Sequence, residues 1–233
     1  MSNRNSNADR WLWGITIFLV LIGIAIVYRR LVFINTLNTP GGFVAGVTKT
    51  RSPVPDEGFA AHPLLTLIHI IPGLLFMLLA PLQFVKRLRT SYPKIHRVTG
   101  YIVLACGLII GSTALIMGFT MAIGGITETL AIALYGTGFL FSLTKAYLYI
   151  IKREIALHRE WMIRAVAIGL AVSTTRPIVG VFFATSRFTG LTVQQFFGVA
   201  FWIAFTLHVI VAEIWIRRTR KKVIVSSTIV SDC

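Results

Sequence analysis

Two histidine-arginine pairs are the residues of this chain best suited to chemistry. His96-Arg97 and His158-Arg159 each follow a short basic stretch and stand at the start of a long apolar segment. Imidazole nitrogens bind metal ions and haem iron, and histidine changes its charge near neutral pH. Two such pairs in matching contexts predict a paired site at one surface of a membrane.

The composition places these pairs in a membrane protein. Of the 233 residues, 55% are hydrophobic and 13% are charged, whereas a soluble domain carries about 25% charged residues. The net charge of +15 comes from basic clusters between apolar runs. That pattern is typical of membrane topology signals and of contact with anionic lipid headgroups, and it does not favour nucleic acid as a partner.

Six apolar segments are long enough to cross a bilayer, because a spanning helix needs about 20 residues. The sequence therefore predicts an all-α polytopic membrane protein with six transmembrane helices in an up-down bundle. The predicted spans cover residues 11–34, 63–85, 98–119, 127–150, 161–184 and 194–216. We divide the chain into an N-terminal span with its exterior loop, a five-span core and a basic tail, at 1–62, 63–216 and 217–233.

The basic residues predict the orientation of these spans. They cluster between spans two and three, between spans four and five, and after span six. Because positively charged loops remain on the cytoplasmic side, both termini are expected there, in a multi-pass protein of the cell membrane. The loop at 35–62 contains Pro40-Gly41-Gly42 and Pro53-Val54-Pro55, so we expect an irregular exterior loop.

Three spans carry a helical face that suits either a ligand or close helix packing. Each face holds a histidine near one end, followed by residues at steps of three or four. The small residues of span three, such as Gly100 and Gly107, would let a flat cofactor or another helix approach closely. The faces comprise His69, Gly73, Phe76, Ala80 and Gln83 in span two; His96, Gly100, Val103, Gly107, Gly111, Ala114 and Gly118 in span three; and His158, Trp161, Ala165, Gly169, Val172 and Arg176 in span five.

Spans three and five are expected to be diagonal partners in an up-down bundle. Their histidines, His96 and His158, would then lie at equal depth and could hold the iron of haem b as axial ligands. Arg97 and Arg159 would contact the haem propionates. The alternative is that both histidines lie at the interface and bind lipid headgroups or backbone carbonyls.

Several charged residues fall inside the predicted spans, where a charge without a partner is costly. We expect Glu213 in span six to pair with Arg164 or Arg97, and Glu128 in span four to pair with Arg176. Such pairs are either structural or part of a functional site.

Two further histidines and one glutamine are candidates for binding or relay. His69 and His208 lie at different depths, too far apart to share one metal ion. Each could bind a quinone or transfer a proton, or could simply bond to a neighbouring helix. Gln83 ends the face of span two on the side of the basic loops.

The core motifs resemble those of a known family. The matching residues are His69; Ala80-Pro81-Leu82-Gln83-Phe84; His96-Arg97-Val98-Thr99-Gly100-Tyr101; His158-Arg159-Glu160-Trp161-Met162-Ile163-Arg164; Thr174-Thr175-Arg176; and Val211-Ala212-Glu213. This pattern resembles the predicted membrane proteins called domain of unknown function 2306, over residues 63–216. Ala80 and Tyr101 stand where the family has glycine and arginine. The resemblance implies an integral membrane protein and no established reaction.

Three functions fit these observations, and the residues leave open whether the protein is an enzyme. The first is transmembrane electron transfer by haem b, with a quinone or another redox partner. In outline the helices are similar to two-haem cytochromes of the b561 and ferric-reductase type, although the histidine spacing lacks a full two-haem ligand set. The second is a small transporter whose route is lined by His69, Arg176, His208 and Glu213. The third is a non-catalytic membrane scaffold.

Overall fold

The computed structural model describes residues 3–38 and 57–231. Over these ranges the chain forms eight α-helices and no strand, and six of the helices are long and apolar enough to cross a membrane. The predicted all-α polytopic architecture is therefore confirmed. The helices are α1 (Asn3–Asn38), α2 (Glu57–Ala61), α3 (Pro63–Leu82), α4 (Lys86–Ser91), α5 (Pro93–Thr120), α6 (Gly125–Ile151), α7 (Ile155–Thr189) and α8 (Val193–Ser231).

Helices α3, α5, α6 and α7 form a four-helix bundle. Each packs against the next in that order, and a smaller contact between α3 and α7 closes the ring. Helices α5 and α7, which contain the predicted spans three and five, therefore stand diagonally across the bundle, as the sequence predicted. Helix α1 packs against α3 and α7, and α8 packs against α6 and α7.

Two helices begin earlier than their apolar segments. Helix α5 begins at Pro93 and α7 at Ile155, whereas the predicted spans begin at 98 and 161. Proline suits the first turn of a helix, because the N–H that it lacks would have no partner there. The charged side chains of these turns can extend from the helix toward water. His96 and His158 thus lie in the first turns of α5 and α7.

Other connections also differ from the prediction. The basic stretch after span two contains helix α4, and the tail that begins at 217 continues α8 as far as Ser231. The loop predicted at 35–62 includes the last turn of α1 and the short helix α2; residues 39–56 lie outside the described residues. Amphipathic or charged segments can become helical without a signal in their hydropathy.

The bundle has two chemically different ends. At one end, called here the basic end, lie α4 and the turn between α6 and α7, with Lys86, Arg87, Lys152 and Arg153. At the opposite end lie α2 and the turn between α7 and α8. Gly190 ends α7 there with φ of 67°, a left-handed conformation that glycine adopts without strain.

Phe76 of α3 fills the middle of the bundle. Its side chain is 1% exposed, and its ring meets the ring of Phe139 edge to face at 5.5 Å between centroids. A Cβ added to Gly107 or Gly169 would lie 3.3 or 2.6 Å from the Phe76 ring. The faces predicted on spans two, three and five therefore do meet in the core, and the small residues of α5 and α7 make room for an aromatic ring of α3.

Candidate functional site

A cavity of about 230 Å³ lies inside the bundle, between its middle and the opposite end. Helices α1, α2, α3, α5, α6, α7 and α8 all contribute to its wall. On the side of the basic end the wall includes Phe76 and Phe139, the two rings in contact at the centre. The cavity therefore occupies one half of the membrane-spanning bundle.

Most of the cavity wall is apolar, and several of its side chains can change conformation to fit a ligand. Five phenylalanines from four helices line it, as do Met77, Met117 and Met121. Methionine side chains adapt to irregular shapes and make favourable contacts with aromatic rings. A wall of this kind suits an apolar or aromatic molecule that enters from the lipid.

Four ionisable side chains interrupt this apolar wall: Arg30, His69, Glu128 and Arg176. The sequence predicted His69 and Arg176 as candidate functional residues on separate spans, and the fold brings them to one cavity. Ionisable side chains inside a membrane usually face a cavity, a partner or a pathway. This convergence makes the cavity the strongest candidate for a functional site.

Arg30 is the one of these four that the sequence did not single out. It follows Arg29 at the end of an apolar run, a position that usually marks the edge of a membrane. In the structure Arg30 is only 4% exposed, and its guanidinium carbon lies 3.8 Å from the centroid of the Phe59 ring. The helical periodicity of α1 indicates that Arg30 faces inward, since Gly23 and Val27 lie on the same face of the helix and also line the cavity.

Glu128 of α6 and Arg176 of α7, which the sequence predicted as an ion pair, line the same cavity and are electrostatic neighbours. The Glu128 carboxylate is buried, and its Oε2 accepts a hydrogen bond of 2.6 Å from the backbone N–H of Gly124. The Arg176 guanidinium carbon lies 5.9 Å from the centroid of the Phe197 ring. The carboxylate is thus held by the backbone at the start of α6 while it lines the cavity.

His69 has a defined arrangement of ring nitrogens. Its Nδ1 lies 2.9 Å from the Thr113 hydroxyl oxygen, and that hydroxyl is 2.7 Å from the carbonyl oxygen of Ile109. A carbonyl can only accept, so the Thr113 proton is donated to it, and on this basis we assign the proton of the neutral imidazole to Nδ1, which donates to Thr113. In the neutral ring, Nε2 therefore carries the free lone pair.

In the other half of the bundle, the predicted ion pair between α7 and α8 is confirmed. Arg164 Nε lies 2.6 Å from Glu213 Oε1, and Arg164 Nη2 lies 3.1 Å from Oε2, so the contact is bidentate. The guanidinium also covers the ring of Trp161 at 4.5 Å. Of the two predicted partners for Glu213, Arg164 is the one found, whereas Arg97 is exposed at the start of α5.

Other predicted polar residues also bond between helices. Gln83 donates to the Thr99 hydroxyl at 2.8 Å, and His208 Nε2 lies 2.8 Å from the Thr174 hydroxyl. Neither Gln83 nor His208 belongs to the cavity wall. A pair that the sequence did not predict joins Glu160 of α7 to Arg220 of α8, because nothing in the pattern indicated how far α8 extends.

The histidine pair at the basic end has some features of a ligand site. His158 Nδ1 lies 2.8 Å from the Ala146 carbonyl oxygen, so Nδ1 donates and Nε2 keeps its lone pair. Metal-binding histidines are commonly oriented in this way. His96 Nδ1 is buried and has no hydrogen-bond partner among the described residues. The two imidazoles are close enough for their charges to interact.

The surroundings of these histidines are less favourable to a large cofactor. Arg159, predicted at a haem propionate, instead donates to the Thr219 hydroxyl of α8 at 3.3 Å. The core beside the basic end is closely packed, with Ala80, Val103, Ala146 and Ala165 all at 0% exposure. Two imidazoles are therefore present at the basic end. One to two helical turns deeper in the bundle, packed side chains occupy the space between their helices.

The predicted small residues of α5 pack against side chains of other helices. A Cβ on Gly107 would lie 2.6 Å from Leu143 Cδ1, and one on Gly100 would lie 3.4 Å from Gln83 Oε1. The sequence left open whether these small residues face a flat cofactor or pack against another helix. Close helix packing accounts for both Gly100 and Gly107. Across residues 3–38 and 57–231, no three His, Cys, Asp or Glu side chains are grouped so that they could hold a metal ion.

Six spans, a four-helix core and an intramembrane cavity define a multi-pass α-helical membrane protein. A family model described as Predicted membrane protein (DUF2306) matches residues 66–216, which is more than half of the chain. The chain belongs to this family. Neither a curated protein nor a solved structure matches it.

Proposed function

We propose that this protein binds a small, lipid-soluble molecule with a polar head group in the cavity of the bundle. The observation that carries the proposal is the convergence of four ionisable side chains from α1, α3, α6 and α7 on one apolar cavity. A binding site of this kind combines a large apolar wall with a few polar groups that orient the ligand.

The charge distribution suggests the side from which the ligand enters. Basic residues cluster at one end of the bundle, and positively charged segments remain in the cytoplasm. We infer that the basic end and both termini are cytoplasmic, in a cell membrane. The cavity would then lie in the outer half of the membrane and would receive its ligand from that side.

Binding is better supported than transport. A transport route along His69, Arg176, His208 and Glu213 would need all four groups to line one path. His208 is instead bonded to Thr174, and Glu213 to Arg164. The packed rings of Phe76 and Phe139 also close the cavity on the side of the basic end, where such a route would have to continue.

Photolabelling of the cavity tests this proposal. The protein in lipid nanodiscs is irradiated with trifluoromethyl phenyl diazirine, a small lipid-soluble probe, and the labelled residues are located by mass spectrometry. Met117 lines the cavity and is 9% exposed. Phe119, two residues along the same helix, is 68% exposed and reports labelling from the surrounding lipid.

The matched variants are Gly73→Leu and Gly73→Ala. A Cβ at Gly73 meets nothing closer than Ile110 Cγ2 at 3.8 Å, so alanine fits and the longer leucine side chain fills part of the cavity. We expect Met117 to be labelled in the wild type and in Gly73→Ala, and to lose most of its label in Gly73→Leu, with Phe119 labelled throughout. Unlabelled Met117 in the wild type, or equal labelling in both variants, would refute the cavity as a binding site.

Haem b is a second candidate ligand, at the basic end. It is favoured by the orientation of His158 through the Ala146 carbonyl and by the buried Nδ1 of His96. His96 and His158 would hold the haem iron, and the group would supply one-electron transfer. Protein purified from haem-replete cells should then show a Soret band that is absent from His96→Ala and His158→Ala. A colourless preparation contradicts this candidate.

A further inference from the structure

The hydrogen bonds of His69 narrow the class of ligand that the cavity accepts. Its Nδ1 donates to Thr113, whose own proton is donated to the Ile109 carbonyl. Both bonds are made to α5, and the tautomer assigned from them has its lone pair on Nε2. His69 therefore offers the cavity a hydrogen-bond acceptor and selects a ligand that carries a hydroxyl group.

The wall around His69 selects the shape of that ligand. Rings of Phe76, Phe139, Phe201 and Phe205 line the cavity, and aromatic rings stack favourably on flat ring systems. Met77 and Met117 add sulfur contacts, which also favour aromatic partners. A flat ring is thus a better match to this wall than a flexible acyl chain.

A second polar position lies on another helix of the same cavity. Arg176 of α7 carries a guanidinium, which only donates, beside the Glu128 carboxylate, which accepts. A ring with oxygen atoms at two positions could therefore meet His69 with one oxygen and the Arg176 and Glu128 groups with the other. Lipid-soluble hydroquinones have this pattern of two ring oxygens.

We propose that the cavity binds a lipid-soluble hydroquinone, with one hydroxyl donated to His69 Nε2. This inference rests on the proposed binding function and specifies its ligand. It also predicts a preference between the two redox forms, because a hydroquinone hydroxyl can donate to Nε2 and a quinone oxygen cannot. One hydrogen bond of ordinary strength corresponds to a preference of roughly tenfold for the reduced form.

The test is protection of Met117 from the diazirine probe. A decyl-substituted benzoquinone, its hydroquinone and decanoic acid are each titrated as competitors against the wild-type protein in nanodiscs. We expect the hydroquinone to protect Met117 at roughly one-tenth of the quinone concentration, and decanoic acid to protect least. Equal protection by the two redox forms, or stronger protection by the fatty acid, would overturn the hydroquinone assignment.

Two variants assign the preference to His69. The amide of His69→Asn can still donate to Thr113 but has no atom at the position of Nε2, so the preference for the reduced form should disappear. Thr144→Val is the control, because within the described part of the chain the Thr144 hydroxyl bonds only to the Leu140 carbonyl of its own helix. This variant should keep the preference. A preference that persists in His69→Asn contradicts the assigned role of Nε2.

This result is separable from the binding proposal itself. Labelling of Met117 by the probe alone, and its loss in Gly73→Leu, report whether the cavity admits a lipid-soluble molecule. If that labelling is found and the hydroquinone protects no better than the quinone, the cavity binds ligands but does not select a hydroxyl donor.

Discussion

The two halves of the bundle use their polar residues differently. Toward the basic end, Arg164 bonds to Glu213 and Gln83 to Thr99, and the small side chains of the core are fully buried. Toward the opposite end, His69 and three charged side chains face a shared cavity.

The difference teaches how to interpret an ionisable residue inside a membrane. Such residues are candidates for function by default, but a bidentate partner such as that of Arg164 is sufficient to explain one structurally. His69 is different, because its Nδ1 bonds to Thr113 of α5 while the residue lines the cavity. The following three variants test whether the boundary between the two halves is real.

Phe76→Ala should have the largest effect on stability. The ring is 1% exposed and contacts Phe139 at the boundary of the two halves, so its removal should cost about 3–5 kcal/mol of unfolding free energy. It should also extend the cavity toward the basic end, so that the diazirine probe labels Leu143. Reversible unfolding in detergent and photolabelling measure the two effects.

The matched control for this variant is Phe119→Ala on the surface of α5. That side chain is 68% exposed, so its loss should change stability far less than the loss of Phe76. If Phe76→Ala left both stability and the labelling of Leu143 unchanged, the two halves would not be separated by this ring.

Glu213→Ala should have the next largest effect. It leaves the Arg164 guanidinium without its bidentate partner inside the span, which should cost about 2–3 kcal/mol of unfolding free energy. Glu154→Ala serves as the control, because Glu154 is exposed in the turn before α7. The cavity lies elsewhere, so Met117 labelling should be unchanged in a folded Glu213→Ala protein; a loss of label would show that the halves are coupled.

Gly107→Ala should have the smallest of the three effects. The added Cβ would lie 2.6 Å from Leu143 Cδ1, and overpacking of this kind costs about 1–2 kcal/mol. At Gly138 of α6 an added Cβ meets no atom of the described residues within 4 Å, so Gly138→Ala should be neutral or slightly stabilising. Equal stability of the two variants would argue against a closely packed stripe on α5.

The sequence predicted much of the architecture, and its errors have physical reasons. The six spans follow from hydropathy, and the diagonal position of α5 and α7 follows from short connections. The early starts of α5 and α7 were missed, because a helix can continue past the apolar segment into a charged stretch. The extension of α8 was missed for the same reason.

The candidate site was only partly predictable. His69 and Arg176 stand out as polar residues in apolar segments, and pairing Glu213 with Arg164 required only matching depth and opposite charge. Arg30 did not stand out, because an arginine at the end of a span usually reaches water. The helical phase places Arg30 on the inward face of α1, but its contact with Phe59 of α2 joins separate elements and is not visible in the sequence.

By itself, the sequence determined that six segments of this chain are long and apolar enough to cross a membrane, and which of their faces turn inward, because bilayer thickness and the helical period act on each segment locally. Only the tertiary structure decided that the small residues of α5 receive side chains of other helices, and that His69, Glu128 and Arg176 share one cavity. Those outcomes depend on which helices are neighbours and how closely they approach, and no single segment encodes that.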